Sequence, residues 1–165
     1  MRRVFKTEQA DYLKNECEQM PVLRTFLTFK QFNAIPAFIT KPITFFQRRA
    51  IAKLRLGSLE LKIQTGRFSR PRLEINERFC AGCKDHYLSN NLEQQIETEY
   101  HFIFVCICYV NLRTTWLSKL TKPENFDYLN MGEKLSIVLN LPENIKSTGQ
   151  FINDAFSMRN KIINT

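Results

Sequence analysis

RFCAGCKDHYLSNNLEQQIETEYHFIFVCICY, residues 78–109, decides how this chain folds, because Cys80, Cys83, His101 and Cys106 are spaced as ligands for one tetrahedral metal ion. A C-x2-C pair turns tightly enough to offer two thiolates to one ion, and Gly82 between them would permit the positive backbone torsion that such a knuckle often takes. Zinc suits the donor set. Its filled d-shell accepts a Cys3His tetrahedron without redox chemistry, and four protein ligands leave no open position for water. The expected cofactor is therefore one structural Zn2+ rather than a catalytic one. His101 and Cys106 lie five residues apart, roughly 140° around a helix of 3.6 residues per turn, so an unbroken helix cannot aim both at one ion. A turn or irregularity must fall between them. Two neighbours compete for ligand roles: His86, close behind the knuckle, and Cys108, two residues after Cys106. The bland alternative is a set of buried thiols packed as small hydrophobes beside a surface histidine that never meets them.

Outward from this stretch, charge is the next signal. Residues 47–84 hold ten basic residues against three acidic ones, a local +7 in a chain whose formal net charge is +8. Such a field beside a zinc module points to a polyanionic partner, most simply RNA or DNA, with the plainer alternative of a solvated basic face. The residues expected to meet phosphates are Arg48, Arg49, Lys53, Arg55, Arg67, Arg70, Arg72 and Arg78. Five cysteines cluster in a chain that starts MRRVFKTEQADYL with no apolar signal core, so a reducing intracellular setting is expected, nucleus or cytoplasm, without secretion. The longest apolar run, Phe102 to Val110, falls far short of the ~20 residues a membrane span needs. No membrane partner and no small-molecule substrate are expected.

The expected fold class is mainly α: a small helical domain with one CCHC zinc knuckle and a short extended segment. At 165 residues and 44% hydrophobic content the chain can bury a real core. Three regions follow from the punctuation: an N-terminal helical region 1–44, a central module 45–120 with basic helix, arginine loop and knuckle, and C-terminal helices 121–165. Residues 5–20 and Pro21 to Phe32 favour helix, and Pro36 and Pro42 make Asn33 to Thr44 a connecting loop with room for one short turn. Phe45 to Leu56 is a helix with Phe46, Ala50, Ile51 and Leu54 on one stripe and Arg48, Arg49, Lys53 and Arg55 projecting opposite. Gly57 suits its end, and Leu59, Leu61 and Ile63 then alternate with polar residues as a strand or extended segment. Gly66 turns the chain into an arginine-rich loop, Arg67 to Arg78, containing Pro71. KDHYLSNNLEQQ reads as an exposed excursion. Helices are expected over Tyr109 to Leu120, Gly132 to Leu139 and Thr148 to Ile163, the last with Phe151, Ile152, Ala155, Phe156, Ile162 and Ile163 inward. Phe68, Phe79 and Tyr87 lie near enough to the basic segment to be candidates for stacking on bases.

The runs IETEYHFIFVCICYVNLR, LRLGSLELKIQTGRF and ERFCAGC resemble the C-terminal cysteine-rich region of LINE-type, non-LTR retrotransposon polyproteins. There a basic helix and a Gly-Arg turn precede a C-x2-C knuckle, and an acidic-x-His-hydrophobic segment leads to a Cys, a Tyr and a Leu-Arg pair. The matching positions here are Leu54, Arg55, Gly57, Leu61, Ile63, Gly66, Arg67, Arg78, Cys80, Cys83, Glu97, Glu99, His101, Phe102, Cys106, Tyr109, Leu112 and Arg113. The resemblance covers roughly residues 22–120 and, more weakly, the last helix with its FINDAFSMR. The loop Lys84 to Ile96 is longer than the family usually carries, and Cys108 stands where a proline or aliphatic residue is common. Nothing resembles the paired aspartates of a polymerase palm or the acidic and histidine set of the endonuclease.

The resemblance implies a zinc-binding, nucleic-acid-binding tail of a reverse transcriptase-like protein, without enzymatic activity of its own. A different class of function is a protein-interaction adaptor, in which zinc only staples the fold and apolar helices meet a partner. A thiol enzyme built on Cys106 and His101 is a third class, but no third orienting group is identifiable and metal ligation explains both residues more economically.

Overall fold

The computed structural model describes residues 11–20, 23–27 and 35–164. Residues 11–18 are helical, as are Arg24–Leu27, whereas Gln19 is a turn residue and Met20 is not helical, so the first helix ends before the expected position; positions 5–10, 21–22 and 28–32 of the two helices expected over 5–20 and Pro21 to Phe32 lie outside the described residues. The expected connecting loop contains one helical turn, Ala37–Thr40. The remainder is mainly helical, and among the described residues the sole β-pairing is an isolated antiparallel bridge between Phe79 and Ile96.

Two helices set the frame. The basic helix Phe45–Arg55 is started by a reciprocal cap, in which Gln47 N–H donates to Thr44 Oγ1 at 3.3 Å and Thr44 N–H to Gln47 Oε1 at 3.0 Å. It buries Ala50, Ile51 and Leu54 against the C-terminal helix Ile145–Ile163, whose Phe151, Ile152 and Ala155 are buried in the same core. The stripe expected on the basic helix is corrected at one place: Phe46 is exposed, because its position rotates off the seam toward solvent. Ile163, expected inward, is also exposed at the fraying helix end.

The seam is close because Gly149 has no side chain. A Cβ there would lie 2.9 Å from Gln47 Cβ and 3.1 Å from the Gln47 carbonyl oxygen, neither of which can swing away. In an open helix Gly→Ala gains roughly 1 kcal/mol. Here Gly149→Ala is expected to lower stability by about 1–3 kcal/mol, the usual penalty of overpacking. Urea unfolding checks the sign, and a raised midpoint would mean that the two helices do not meet as drawn.

Val110–Leu117 and Met131–Asn140 complete the layer around the C-terminal helix. Trp116 stacks on Phe151 with ring centroids 4.3 Å apart and donates its indole N–H to Thr148 Oγ1 at 3.3 Å. The core therefore draws on both the central and the C-terminal regions of the chain. Leu59, Leu61 and Ile63 are buried as their spacing suggests, but no strand forms: Lys62–Thr65 is a helical turn in which the Gln64 and Thr65 amides donate to the Leu61 carbonyl, while the Lys62 and Ile63 amides donate to the side chain and the backbone carbonyl of Glu97. The expected exposed excursion opens as a short helix, Lys84–Ser89, started directly from Cys83.

Candidate metal centre

The first two ligands are placed by a short antiparallel contact. Cys80 N–H donates to the Gln95 carbonyl at 2.9 Å and Glu97 N–H to the Arg78 carbonyl at 2.9 Å, so the knuckle is tied to the segment that leads to the other two ligands. Cys83 sits at the start of the Lys84–Ser89 helix, where Tyr87 N–H reaches back to its carbonyl. Gly82 does not take the positive torsion expected of it. Gly57 is the glycine with positive φ, and Gly82 instead makes room: a Cβ there would stand 3.2 Å from Cys108 Sγ.

The irregularity required between His101 and Cys106 is a π-helical turn, His101–Val105, closed by Cys106 N–H donating to the His101 carbonyl at 2.8 Å. A hydrogen bond from i+5 back to i widens the turn and brings residues i and i+5 closer to the same side than an α-turn does. Cys106 then leaves the helix with φ −53° and ψ 123°. Arg113 holds this turn from behind, donating from Nε to the Ile103 carbonyl at 2.8 Å and from Nη2 to the Cys106 carbonyl.

Cys80, Cys83, His101 and Cys106 converge with all four ligand atoms within 4.8 Å of one another, and all four residues are buried. Cys80 Sγ lies 3.8 Å from Cys106 Sγ, and Cys83 Sγ lies 3.4 Å from His101 Nε2. Bonds of about 2.3 Å to sulfur and about 2.0–2.1 Å to nitrogen give a tetrahedral site edges of about 3.8 Å between sulfurs and about 3.5 Å between sulfur and nitrogen. The two closest contacts thus have the spacing of ligands around one ion. They are far longer than the roughly 2.05 Å of a disulfide, and all five cysteines are free.

Three buried thiols at these distances cannot all ionise without a cation. The hydrogen bond from the Cys106 thiol holds Cys80 down at about 3. Donating that bond, with burial, drives Cys106 upward, and burial followed by the Cys80 charge pushes Cys83 up to about 12. A divalent ion is the group that would let all three become thiolates. Residues and spacing therefore fit a metal.

Around the ligands lies a shell of buried charge. Glu97 accepts two hydrogen bonds from Arg159, at 2.7 Å from Nε and 2.8 Å from Nη2, and one from the Lys62 backbone N–H at 2.6 Å; its Oε1 stands 3.9 Å from Cys80 Sγ. This fork joins the C-terminal helix to the metal loop. Arg78 donates to the Ile63 carbonyl at 2.9 Å and twice to the Leu73 carbonyl, at 3.1 and 2.8 Å. Gly66 exists to admit it, since a Cβ there would lie 2.7 Å from Arg78 Cγ.

The expected phosphate-binding set divides on burial. Arg49, Arg70 and Arg72 are exposed, while Arg48, Lys53 and Arg67 are half-buried. Arg48 donates to the carbonyls of Phe38, Ile39 and Lys41, and Lys53 pairs with Glu60 at 3.3 Å. Arg55 and Arg78 are corrections. Both are buried, Arg55 donating to the Leu139 carbonyl at 3.0 Å and Asn140 Oδ1 at 3.1 Å, and neither guanidinium faces solvent where a phosphate could meet it. Burial draws Arg55 down to about 10. The two competing ligands also find their places. His86 is exposed on the short helix and stands outside the cluster, and Cys108 donates to the Gly82 carbonyl at 2.9 Å.

Glu97, Arg159 and Arg113 are the supporting residues that sequence spacing did not single out for these roles. The signal for Arg159 and Arg113 was a charge between apolar residues, as in AFSMRNKII and YVNLRTTWL, whereas Glu97 in QQIETEYHF stands among polar residues and gave no such signal. Among the described residues no helix is long and apolar enough to cross a membrane. Comparison of the chain with family models, curated proteins and solved structures finds no match.

Proposed function

We propose that the chain is a zinc-stapled nucleic-acid-binding module of the kind found in the C-terminal region of LINE-type retrotransposon polyproteins, carrying neither their polymerase nor their endonuclease motifs. The observation that carries this reading is the meeting of four buried ligand atoms from segments up to 26 residues apart, beside a loop that exposes Arg70 and Arg72. Three soft thiolates and one imidazole favour zinc over the harder divalent ions, and the ion would act structurally, neutralising thiolate charge and fixing the loop that presents the arginines. Binding to RNA or DNA would then proceed by phosphate neutralisation and counterion release.

If about five cationic side chains meet phosphates, the log–log salt slope on duplex DNA is expected to be roughly −4 to −5. The triple variant Arg49→Gln, Arg70→Gln and Arg72→Gln is expected to flatten it by about three units on every sequence tested, with zinc content unchanged. Lys119→Gln with Lys122→Gln, which lie outside the basic block, is expected to change it little. Titrations against labelled single-stranded RNA and duplex DNA over a range of salt decide the matter. Equal losses from the two sets, or no salt-dependent binding at all, would leave the adaptor reading, which the exposed pair Phe45 and Phe46 at 68% and 66% exposure favours.

A further inference from the structure

A groove beside the thiol cluster is lined by the rings of Phe79 and Tyr100, by the amides of Asn76, Gln94 and Gln95, and by His101. His101 belongs to both places. Its Nε2 turns to Cys83 Sγ, whereas its Nδ1 is buried and has no hydrogen-bond partner, the one such side-chain atom among the described residues. The residue is only 4% exposed. A metal-ligating histidine ordinarily donates its second ring N–H to a carboxylate, a carbonyl or water, and here the protein supplies none of these. With Nε2 committed to an ion, Nδ1 is left as a buried N–H without an acceptor, at the residue that the thiol cluster and the groove share.

The rest of the lining describes that ligand. Three amides offer paired donors and acceptors, the pattern that meets the edge of a base, and Phe79 offers a π-face at the groove. Glu93, the carboxylate in the lining, repels phosphate and leaves the groove to a neutral group. Phosphates are served elsewhere, since Asn76 and Phe79 end the loop that exposes Arg70 and Arg72. We propose that this groove binds one nucleobase of a single-stranded nucleic acid, stacked on Phe79 and hydrogen-bonded along its edge by the amides of Asn76, Gln94 and Gln95. A base paired in a duplex is stacked and cannot enter, so the groove distinguishes single strands from double strands. This proposal rests on the nucleic-acid reading above and adds to it the class of polymer and the site that reads it.

The test uses the full zinc-loaded chain, a short oligothymidylate, an abasic strand of the same length and charge, and the matching duplex at one salt concentration. The oligothymidylate is expected to bind roughly tenfold tighter than the abasic strand, a gain in line with base stacking. Phe79→Leu, which keeps an apolar side chain at the Ile96 bridge, is expected to remove that advantage without weakening the abasic strand or lowering zinc content. Gln95→Ala, at an exposed side chain, is expected to reduce it in part. Equal affinity for base-bearing and abasic strands overturns the groove while leaving phosphate binding intact, and so does an equal loss on both strands from Phe79→Leu. No binding of either strand at low salt overturns the nucleic-acid reading itself, and the groove with it.

Discussion

A zinc-loaded preparation treated with a strong chelator is expected to release one ion per chain and, with it, the order of residues 78–113. Binding of a structural zinc is folding free energy, on the order of 10 kcal/mol in small fingers, and the ligands here lie in segments joined by few other elements. The knuckle is held by two backbone hydrogen bonds near the Phe79–Ile96 bridge, and the π-turn by one bond to His101 and by the reach of Arg113. Without the ion the three thiols share one favourable charge state, and the imidazole loses its partner. The crossing of the basic and C-terminal helices depends instead on Gly149 and the apolar seam, so part of the helical signal is expected to survive. Metal content and amide exchange read the two parts separately. Cys83→Ser and His101→Ala are each expected to abolish stoichiometric zinc, whereas His86→Ala, at an exposed position, is expected to retain it. Full occupancy in Cys83→Ser, or a folded protein recovered metal-free from zinc-replete medium, would discard the site.

The convergence of Cys80, Cys83, His101 and Cys106 was legible because thiols and imidazole at C-x2-C and H-x4-C spacing have few other uses, and because the five-residue step from His101 forces a break in helical geometry, which the π-turn supplies. The fate of the arginines was not legible. Sequence counts Arg55 and Arg78 with Arg70 and Arg72, yet burial separates them, since a guanidinium can serve a carbonyl inside as well as a phosphate outside. The alternation of Leu59, Leu61 and Ile63 was equally ambiguous. A period of two over so few residues fixes that three side chains go inward, and here Leu59 and Leu61 do so from an irregular segment and Ile63 from a helical turn. Of the eighteen positions that carry the resemblance to retrotransposon tails, all but Arg67 and Leu112 are buried. That pattern therefore describes a buried interior around a cluster that could hold a metal, and the groups expected to meet nucleic acid, Arg49, Arg70 and Arg72, lie among residues the pattern does not include.

Arg159→Met is expected to destabilise the protein by about 3–5 kcal/mol and to weaken metal binding as well, because it strands a buried carboxylate beside the cluster. Glu97 is 1% exposed and shares its two oxygens between Arg159 and the Lys62 backbone N–H. With the guanidinium gone, one backbone donor is left to hold a full negative charge 3.9 Å from Cys80 Sγ. That charge opposes the Cys80 thiolate, so zinc affinity is expected to fall by about 10–100-fold, the usual scale for loss of a group that supports metal ligands. The double variant Glu97→Leu with Arg159→Met removes both charges and is expected to regain most of the stability, since an apolar replacement of a buried ion pair is often neutral. Recovery stops short by about 1–3 kcal/mol, because the Lys62 N–H is then buried without an acceptor. Urea unfolding of the zinc-loaded proteins and competition for zinc with a chromophoric chelator give the two readouts. A loss below about 1 kcal/mol in Arg159→Met would place the pair among ordinary surface salt bridges and would sever the C-terminal helix from the metal site.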